Sequence, residues 1–517
     1  MTDVLKPEVK ADIRKLWNAF WSGGIANPLT AIEQISYLIF LKRLNDIRPE
    51  LFANHPTLQW RSLMLEGDAE TVYRRVRDEA FPFLQGLAAQ GEPFAVAMKD
   101  AVFMLPKPSL LQQAMGIIDK LQITDQDFDT QGDIYEELLS ELNLAGKNGQ
   151  FRTPRHIIRT MVALADPDAG QRVCDPAAGT GGFLVIAYQW LLKRYTPDDP
   201  AYPTTDPATG EWQHLTGELL DRAVLAGPAM DGSRFVGYDF DTTMVRVGVM
   251  NMMLHGISRP QLTYGDTLGK RFSLEHGSDL GSYDVVLANP PFTGNLELED
   301  VDSSLGFKTG KTELLFLKRC FDLLDNGGRC AIIVPEGVLF GSSKVHQDLR
   351  KLLLTEAELN AVISLPGGVF RPYTGVKTSI LFFTKGGTTK DKSVWFYTVT
   401  GDGRTLDDKR GPDPSKDDLR FVAQAYHALH NQTDAQRWRW TFSEAEQEQA
   451  QQRVQLVSFD EIVAKGYNLA AASYRADSSE AEPLDPPAVI LARVRELQAQ
   501  VDGKLERIAT LLAEVGQ

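Results

Sequence analysis

The hydrophobic pattern of this chain changes period near residue 150. Before that point apolar residues recur every three or four positions, as between Ile32 and Leu41, which is the spacing of one face of a helix. Beyond it, short β-rich runs alternate with helical stretches, and strands that alternate with helices predict a mostly parallel, doubly wound α/β sheet. The predicted strands are 172–175, 234–239, 283–291, 329–335, 361–366 and 379–385.

The same pattern predicts four regions along the chain. They are a helical N-terminal domain over 1–148, an α/β domain over 149–400, a C-terminal extension over 401–485 and a C-terminal helix over 486–517. Two stretches rich in turn residues, 196–210 and 401–418, interrupt the alternation of strands and helices. We expect both at the surface, as insertions or linkers.

The last region carries a heptad pattern. Val494, Val501, Ile508 and Val515 recur every seven residues, which is typical of a coiled-coil seam. Gly503 weakens such a helix, and the run of heptads is short. A single amphipathic helix packed on its own domain is therefore an open alternative.

Charge limits the partners that the chain can hold unaided. Its 517 residues include 54 Lys and Arg against 69 Asp and Glu, a formal net charge of −15. Contacts to nucleic-acid phosphates depend on Lys and Arg. If the substrate is a nucleic acid, a partner protein should supply much of the binding.

Cysteine usage and hydropathy predict the cellular compartment of the protein. The three cysteines include no CxxC pair, which favours a cytoplasmic protein without disulfides. The N-terminus lacks the apolar segment of a signal peptide, and the longest apolar runs fall far short of the roughly 18 residues that span a bilayer. We therefore expect neither secretion nor membrane insertion.

The eight histidines and three cysteines show no metal-ligand spacing, so no metal site is expected.

The first chemical signal is the segment DPAAGTGGF, from Asp175 to Phe183, between a predicted strand and a predicted helix. Its glycines, Gly179, Gly181 and Gly182, permit a tight turn and close approach of the backbone to a ligand. They lie at the edge where open α/β sheets bind nucleotide-type cofactors. The carboxylate of Asp175 suits a cationic amino group better than a pyrophosphate. A purely structural Gly-rich turn is the alternative.

Two more carboxylates stand where the next two strands should end. Asp239 follows the second strand and could accept hydrogen bonds from both hydroxyls of a ribose. Asp266 follows the third and could reach an adenine amino group. Either residue alone is more often a helix cap or a turn residue, but their order after the Gly-rich segment favours the cofactor role.

The segment NPPF, from Asn289 to Phe292, ends the strand that begins at Tyr283. Proline fixes φ and has no N–H, so the turn is stiff and its carbonyls can point outward. The side-chain oxygen of Asn289 and the carbonyl of Pro290 could then accept both hydrogens of one planar amino group. Phe292 would stack on the ring that carries this amine. The pattern indicates an exocyclic amine on an aromatic base, with a purely structural turn as the alternative.

The chain carries four segments in the order DPAAGTGGF, GYD, GDTL and NPPF. With these segments it resembles an amino-directed, S-adenosylmethionine-dependent DNA methyltransferase, specifically the modification subunit of type I restriction-modification systems. The resemblance covers nearly the whole chain. One departure is Arg152, where that family usually has an aromatic residue before Thr153 and Pro154. Further segments agree with this subunit family at 135–139, 150–154, 325–340, 365–386 and 467–475.

The resemblance implies a Rossmann-like methyltransferase domain that uses S-adenosylmethionine to methylate the N6 amino group of adenine at specific sites in double-stranded DNA. It implies two partner proteins, a specificity subunit that reads the sequence and is shared by two modification subunits, and a restriction subunit. The heptads of the tail are expected to bind helices of the specificity subunit, and Phe370 to support the target base from another side. The implied cofactor-binding residues are Thr153, Asp175, Ala177, Gly179, Thr180, Gly181, Gly182, Asp239 and Asp266.

On this hypothesis the catalytic residues are Asn289, Pro290 and Phe292. The N6 amine is a poor nucleophile because its lone pair is delocalised into the ring. If two acceptors hold its hydrogens out of conjugation, the nitrogen pyramidalises and attacks the sulfonium methyl, so the site acts by orientation and fixed dipoles. The base must first leave the duplex. The alternatives are N4 methylation of cytosine, methylation of a protein glutamine or ribosomal RNA, and a scaffold that only binds the cofactor.

Overall fold

The computed structural model describes residues 5–121, 123, 128–144, 153–195, 233–257, 259–430 and 441–474, together with residues 495 and 498. Residues 1–473 form one compact unit and residues 474–517 a second, and the fold and site below belong to the first. The insertion 196–210 and the predicted heptad positions Val494, Val501, Ile508 and Val515 lie outside the described residues.

The described residues before position 150 are mainly helical. Helix α2 begins where the Asn27 side chain accepts the amide of Leu29 at 2.9 Å, with Pro28 in the first turn. The indole of Trp17 in α1 donates to the Leu138 carbonyl of α8 at 3.1 Å, which joins the first helix to the last. The helices are α1 Pro7–Ser22, α2 Pro28–Ile47, α3 Trp60–Leu65, α4 Ala69–Arg75, α5 Phe81–Gly86, α6 Pro93–Ala97, α7 Pro108–Leu121 and α8 Phe128–Leu144.

A nine-stranded sheet follows, in the order β11-β8-β6-β7-β5-β4-β1-β2-β3. The neighbours from β5 through β3 pair in parallel, so the predicted α/β sheet with its helical N-terminal region is confirmed. The strands of this sheet are β1 Val173–Asp175, β2 Phe235–Asp239, β3 Gln261–Tyr264, β4 Tyr283–Ala288, β5 Leu324–Pro335, β6 Ala357–Ser364, β7 Thr378–Lys385, β8 Ser393–Thr398 and β11 Val454–Ser458, while β9 Asp402–Arg404 and β10 Pro412–Asp417 form a separate pair.

Part of the sheet is antiparallel. Strand β7 pairs antiparallel with both β5 and β6. The connection from β6 to β7 contains no helix, and a parallel pair would need a longer crossover connection. Strand β11, which comes after residue 400, pairs antiparallel with β8 at the edge of the same sheet. The domain boundaries at 148, 400 and 485 stay predictions, but the segment after 400 contributes to this sheet.

Helices connect the strands and cover them. No helix in the described ranges is both long enough and apolar enough to cross a membrane. All three cysteines, Cys174, Cys320 and Cys330, are buried and free. The helices that follow residue 150 are α9 Arg155–Ala165, α10 Gly182–Tyr195, α11 Thr242–Leu254, α12 Phe272–Glu275, α13 Thr312–Leu323, α14 Glu336–Phe340, α15 Lys344–Thr355, α16 Val422–His430, α17 Glu444–Gln451 and α18 Phe459–Ala464.

The carboxyl ends of β4, β1, β2 and β3 meet at one edge of the sheet. β1 lies between β4 and β2, so the chain runs to both sides of β1 and creates a crevice beyond the strand ends. The four segments that carry the predicted site residues all leave the sheet at this edge.

A buried ion pair holds the long loop 293–311 against the neighbouring strand end. Arg319 of α13 is fully buried and donates to the Asp302 carboxylate at 2.8 Å and to the Thr267 carbonyl at 2.7 Å. Thr267 in turn donates its hydroxyl to the Pro176 carbonyl at 3.0 Å, in the Gly-rich loop. One guanidinium therefore fixes two of the loops that surround the crevice.

Replacing Asp302 with Ala should lower the free energy of unfolding by about 3–5 kcal/mol, because the Arg319 charge would stay buried without its partner. The matched control is Glu275→Ala. It breaks a pair with Arg271 in which the two side chains are 48% and 78% exposed, and it should cost less than about 1 kcal/mol. Urea unfolding of both variants measures the difference. Equal and small changes would contradict the structural role of the buried pair.

Candidate active site and cofactor cavity

A cavity of about 1040 Å³ opens at the carboxyl edge of the sheet. It is lined from the ends of β1, β2, β3 and β4 and also from helices of the N-terminal region. Of the residues predicted for the site, Gly181 and Phe370 are outside the cavity lining, and the others line it: Thr153, Asp175, Ala177, Gly179, Thr180, Gly182, Asp239, Asp266, Asn289, Pro290 and Phe292.

The carboxylates at the ends of β1 and β2 hold the Gly-rich loop. Asp175 accepts the backbone N–H of Ala177 at 3.0 Å. Asp239 accepts the N–H of Gly179 through Oδ2 and that of Asp241 through Oδ1, both at 2.9 Å. The loop is therefore fixed by the same two side chains that line the cavity, so these acidic groups shape the site as well as line it.

Burial perturbs both of these carboxylates. It raises the pKa of Asp175 to about 8, against the hydrogen bond from Ala177 and with help from the neighbouring charge of Asp239. Burial also raises the pKa of Asp239, although the amides of Asp241 and Gly179 oppose it. A cation bound beside them would favour the ionised forms. The acidic lining of the cavity thus suits a ligand with a positive group.

Two glycines of the loop have different surroundings. Gly179 and Gly181 both have positive φ, +51° and +73°. A Cβ on Gly179 would meet no atom within 4 Å, whereas one on Gly181 would lie 3.2 Å from the Met252 side chain in α11. Close approach to a ligand is therefore available at Gly179. Gly181 was expected to approach the ligand as well. Its α-carbon instead faces α11, and the residue does not line the cavity.

The third carboxylate lies at the mouth of the cavity. Asp266 is exposed and accepts the N–H of Leu268 at 3.2 Å. Beside it, Phe240 also lines the cavity and is 69% exposed. Phe240 is not among the site residues predicted from the sequence. The sequence feature that could have indicated Phe240 is its position directly after the acidic end of β2. An aromatic side chain there offers an apolar face to a flat ring.

Asn289 directly follows β4, and one half of its side-chain amide is hydrogen-bonded. Its Nδ2 donates to the hydroxyl of Thr153 at 2.7 Å. Its Oδ1 is buried and has no hydrogen-bond partner among the described residues. A buried acceptor without a donor costs roughly 1–3 kcal/mol. Thr153 therefore orients the amide and leaves Oδ1 as a buried acceptor in a residue that lines the cavity.

Phe292 and Phe370 contact each other directly. Their ring centroids are 5.1 Å apart with the planes at 72°, and the two side chains are 6% and 1% exposed. A base held between two rings needs about 7 Å between them, twice a van der Waals contact. The expected support of a base by Phe370 thus requires the rings to separate. Two apolar rings cover each other here because an edge-to-face contact is favourable.

The N-terminal region also contributes to the wall of the cavity. Pro28 and Leu29 come from the start of α2 and Glu136 from α8. Arg155, at the start of α9 and so after this region, lines the cavity as well. None of these four residues is predicted for the site from the sequence. Glu136 falls in the segment 135–139, which the resemblance had singled out without giving it a chemical role. Within the described part of the chain, no group of three His, Cys, Asp or Glu residues could hold a metal ion.

These features are those of a cofactor-dependent transferase that acts on an amino group: an open α/β sheet, a Gly-rich loop at the switch point, acidic strand ends and an Asn-Pro-Pro-Phe turn. The chain belongs to the N-6 DNA Methylase family, whose sequence model matches residues 126–483.

Individual proteins similar to this chain indicate which kind of DNA methylase it is. The chain is similar to the methylase subunit of the type I restriction enzyme EcoEI from Escherichia coli, with 30% identity over 500 residues and 92% of each chain covered. The EcoKI methylase subunit of E. coli strain K12 is 30% identical over 415 residues, 76% of this chain and 71% of the relative. A chain from a structural study of complex assembly and conformational transition in the type I R-M system is 26% identical, covers 98% of this chain and 99% of its own, and has a TM-score of 0.68.

The expected family and activity are confirmed. The protein is the modification subunit of a type I restriction-modification system and an adenine-specific DNA methyltransferase. Membership of a methyltransferase family implies S-adenosylmethionine as the methyl donor. Its place in such a system implies DNA and other subunits as partners.

Replacing Gly179 with Ala should weaken S-adenosylmethionine binding by about tenfold or more, equal to about 1.4 kcal/mol, because the new methyl group would extend into the cavity. Gly181→Ala is the matched control, since it adds the same methyl group to a backbone of positive φ. It should lower stability and leave the affinity nearly unchanged. Calorimetric titration of both variants measures this. A larger loss of affinity in the Gly181 variant would contradict the assignment.

S-adenosylmethionine should bind more tightly as the pH rises from about 6 to about 8, by up to about tenfold per unit. Without a ligand Asp175 is largely protonated below its raised pKa of about 8, and a bound cation requires the ionised form. Binding near neutral pH should therefore release a proton. Calorimetry in two buffers of different ionisation enthalpy detects this release. The prediction is wrong if Asp175→Asn keeps both the release and the pH dependence.

Proposed function

We propose that this cavity binds S-adenosylmethionine along the ends of β1, β2 and β3, and that the NPPF turn presents the N6 amine of adenine to it. The observation that carries the proposal is the oxygen of Asn289, which is buried in the cavity wall without a hydrogen-bond donor among the described residues. An exocyclic amine supplies the missing N–H.

The lining of the cavity suits the parts of the cofactor. Asp175 faces the cationic aminoacyl end, and the open space at Gly179 allows the backbone to approach the ligand closely. Asp239 retains acceptor capacity for ribose hydroxyls beyond the two amides that it binds. Asp266 and the exposed ring of Phe240 then lie at the adenine end. Thr153, Ala177, Thr180 and Gly182 complete the proposed contacts.

The chain acts on the target amine by orientation. Bound S-adenosylmethionine supplies an activated methyl group on its sulfonium. Asn289 Oδ1 and the Pro290 carbonyl accept the two amine hydrogens, which turns the nitrogen lone pair out of the ring plane and toward that methyl. The bound cofactor would supply the methyl group, so that a nitrogen–carbon bond would form as the carbon–sulfur bond breaks, and the amine held by Asn289 and Pro290 would then lose a proton to solvent. No strongly basic residue is required, because fixed dipoles and positioning lower the barrier.

The target adenine must leave the duplex to reach the turn. Phe292 stacks on the extruded base after its ring has separated from that of Phe370. Stacking on an aromatic side chain contributes about 1–3 kcal/mol per base. This gain offsets the loss of the contact between the two rings.

We further propose that sequence recognition belongs to partners. The net charge of −15 makes the chain a poor binder of duplex DNA by itself. A specificity subunit bound by two modification subunits would supply the missing contacts, and a restriction subunit would complete the system. The tail over 486–517, whose heptad positions lie outside the described residues, stays the predicted docking element for the specificity subunit.

Replacing Asn289 with Ala should abolish formation of N6-methyladenine while S-adenosylmethionine affinity changes little, because the lost acceptor contacts the base. The assay uses the chain co-expressed with its specificity subunit, with nucleoside mass spectrometry of target DNA and calorimetry for the cofactor. Asn360→Ala is the matched control, since this asparagine bonds Thr384 in the sheet at 2.9 Å and lies outside the cavity lining. Substantial methylation by the Asn289 variant, or N4-methylcytosine as the product of the unaltered chain, would overturn the proposal.

A further inference from the structure

Glu136 is an acidic residue of the cavity wall that comes from outside the α/β sheet. It lies on α8, before the first strand, and its side chain is largely buried, with 11% exposed. It lines the same cavity as Asp175 and Gly179. A helix that lies outside the sheet therefore brings a carboxylate to the cavity.

A buried amide ties Glu136 to the Gly-rich loop. The Nδ2 of Asn251 in α11, which is 0% exposed, donates to Glu136 Oε1 at 3.1 Å and to the Thr180 carbonyl at 2.9 Å. Both acceptors line the cavity. The carboxylate of α8 is therefore held at a defined position relative to the loop that is proposed to bind the cofactor.

The packing of α8 on α11 requires a glycine. A Cβ on Gly132 would lie 2.3 Å from Nε2 of His255. His255 donates Nδ1–H to the Asn251 carbonyl at 2.8 Å, which leaves Nε2 to accept from Arg155 at 3.2 Å. Burial lowers the pKa of His255, which agrees with a neutral ring in this role. One turn after Gly132, Glu136 reaches the cavity.

The charges at this end of the cavity favour a cation. Arg155 donates to Asp133 at 2.8 Å and also forms a longer ion pair with Glu136, in which its Nε lies 3.8 Å from Oε2. Arg155 is the only Lys or Arg among the described lining residues. The acidic side chains of the lining are Glu136, Asp175, Asp239, Asp241 and Asp266. S-adenosylmethionine, with a sulfonium, an ammonium and a carboxylate, carries a net positive charge.

We propose that Glu136 is a cofactor-binding residue, whose carboxylate accepts the α-ammonium of S-adenosylmethionine from the side opposite the sheet. A carboxylate offers about four acceptor sites, so it has the capacity for this donor besides the Asn251 amide. The proposal rests on the proposed cofactor site. It makes the aminoacyl subsite a shared one, with Asp175 supplied by β1 and Glu136 by the N-terminal helices.

The test compares three ligands in calorimetric titrations of the full chain. S-adenosylhomocysteine has both charged groups of the aminoacyl part and no sulfonium, its decarboxylated analogue keeps the ammonium alone, and 5′-methylthioadenosine lacks both, so the three ligands differ in these two groups and not in the charge on sulfur. Glu136→Gln keeps the shape of the side chain and an acceptor for Asn251. It should weaken binding of the first two ligands by about tenfold or more, as expected for a lost hydrogen bond between charged groups, and leave the third unchanged. Binding of 5′-methylthioadenosine also shows that the variant is folded.

Glu137→Gln is the matched control, because it makes the same change on the same helix at a residue outside the cavity lining. It should leave all three affinities unchanged. Equal losses for all three ligands in the Glu136 variant would show a structural role and overturn the inference, as would unchanged affinity for all three. If the unaltered chain binds none of the ligands, the proposed cofactor site itself is wrong, which is a distinguishable result.

Discussion

The burial of two carboxylates at adjacent strand ends is the constraint on which the site depends. Asp175 and Asp239 end the parallel strands β1 and β2, and burial raises the pKa of both. Such groups are costly to ionise without a nearby cation. They persist because they also accept the amides of the Gly-rich loop. The protein thus holds its loop with groups whose ionisation is unfavourable until a positively charged ligand arrives.

The loop is held from a second side by residues distant in sequence. Asn251 binds the carbonyl of Thr180 and the carboxylate of Glu136 with a single amide, and Arg319 reaches the neighbouring loop through Thr267. These contacts restrict the loop before any ligand binds. Preorganisation of this kind reduces the entropy lost on binding. It also means that the N-terminal helices are part of the site and not an appendage to it.

The sequence predicted the elements whose signals are local. A Gly-rich turn, acidic strand ends and an NPPF turn are short segments, and parallel strands bring their carboxyl ends to one edge, so Asp175, Asp239 and Asn289 were placed at one cavity without knowing the packing. Glu136 could not be placed in this way, because its position depends on a contact with Asn251 that spans 115 residues. The same holds for the direction of Gly181, which α11 determines, and for the antiparallel strand β7, which depends on the short connection before it.

The target side of the cavity differs in kind from the cofactor side. The cofactor side offers open space at Gly179 and acidic groups that favour a cation. On the target side, Phe292 and Phe370 pack edge to face and the Asn289 oxygen lies buried. An aromatic pair contributes about 0.5–1.5 kcal/mol beyond burial, less than a stacked base can return. On the proposed function, the rings stay together until a base is offered, and the unpaired oxygen gains its donor only then. Cofactor binding would not require this rearrangement, so the proposed site would hold its methyl donor while the base pocket is closed and transfer the methyl group only when an extruded base has opened it.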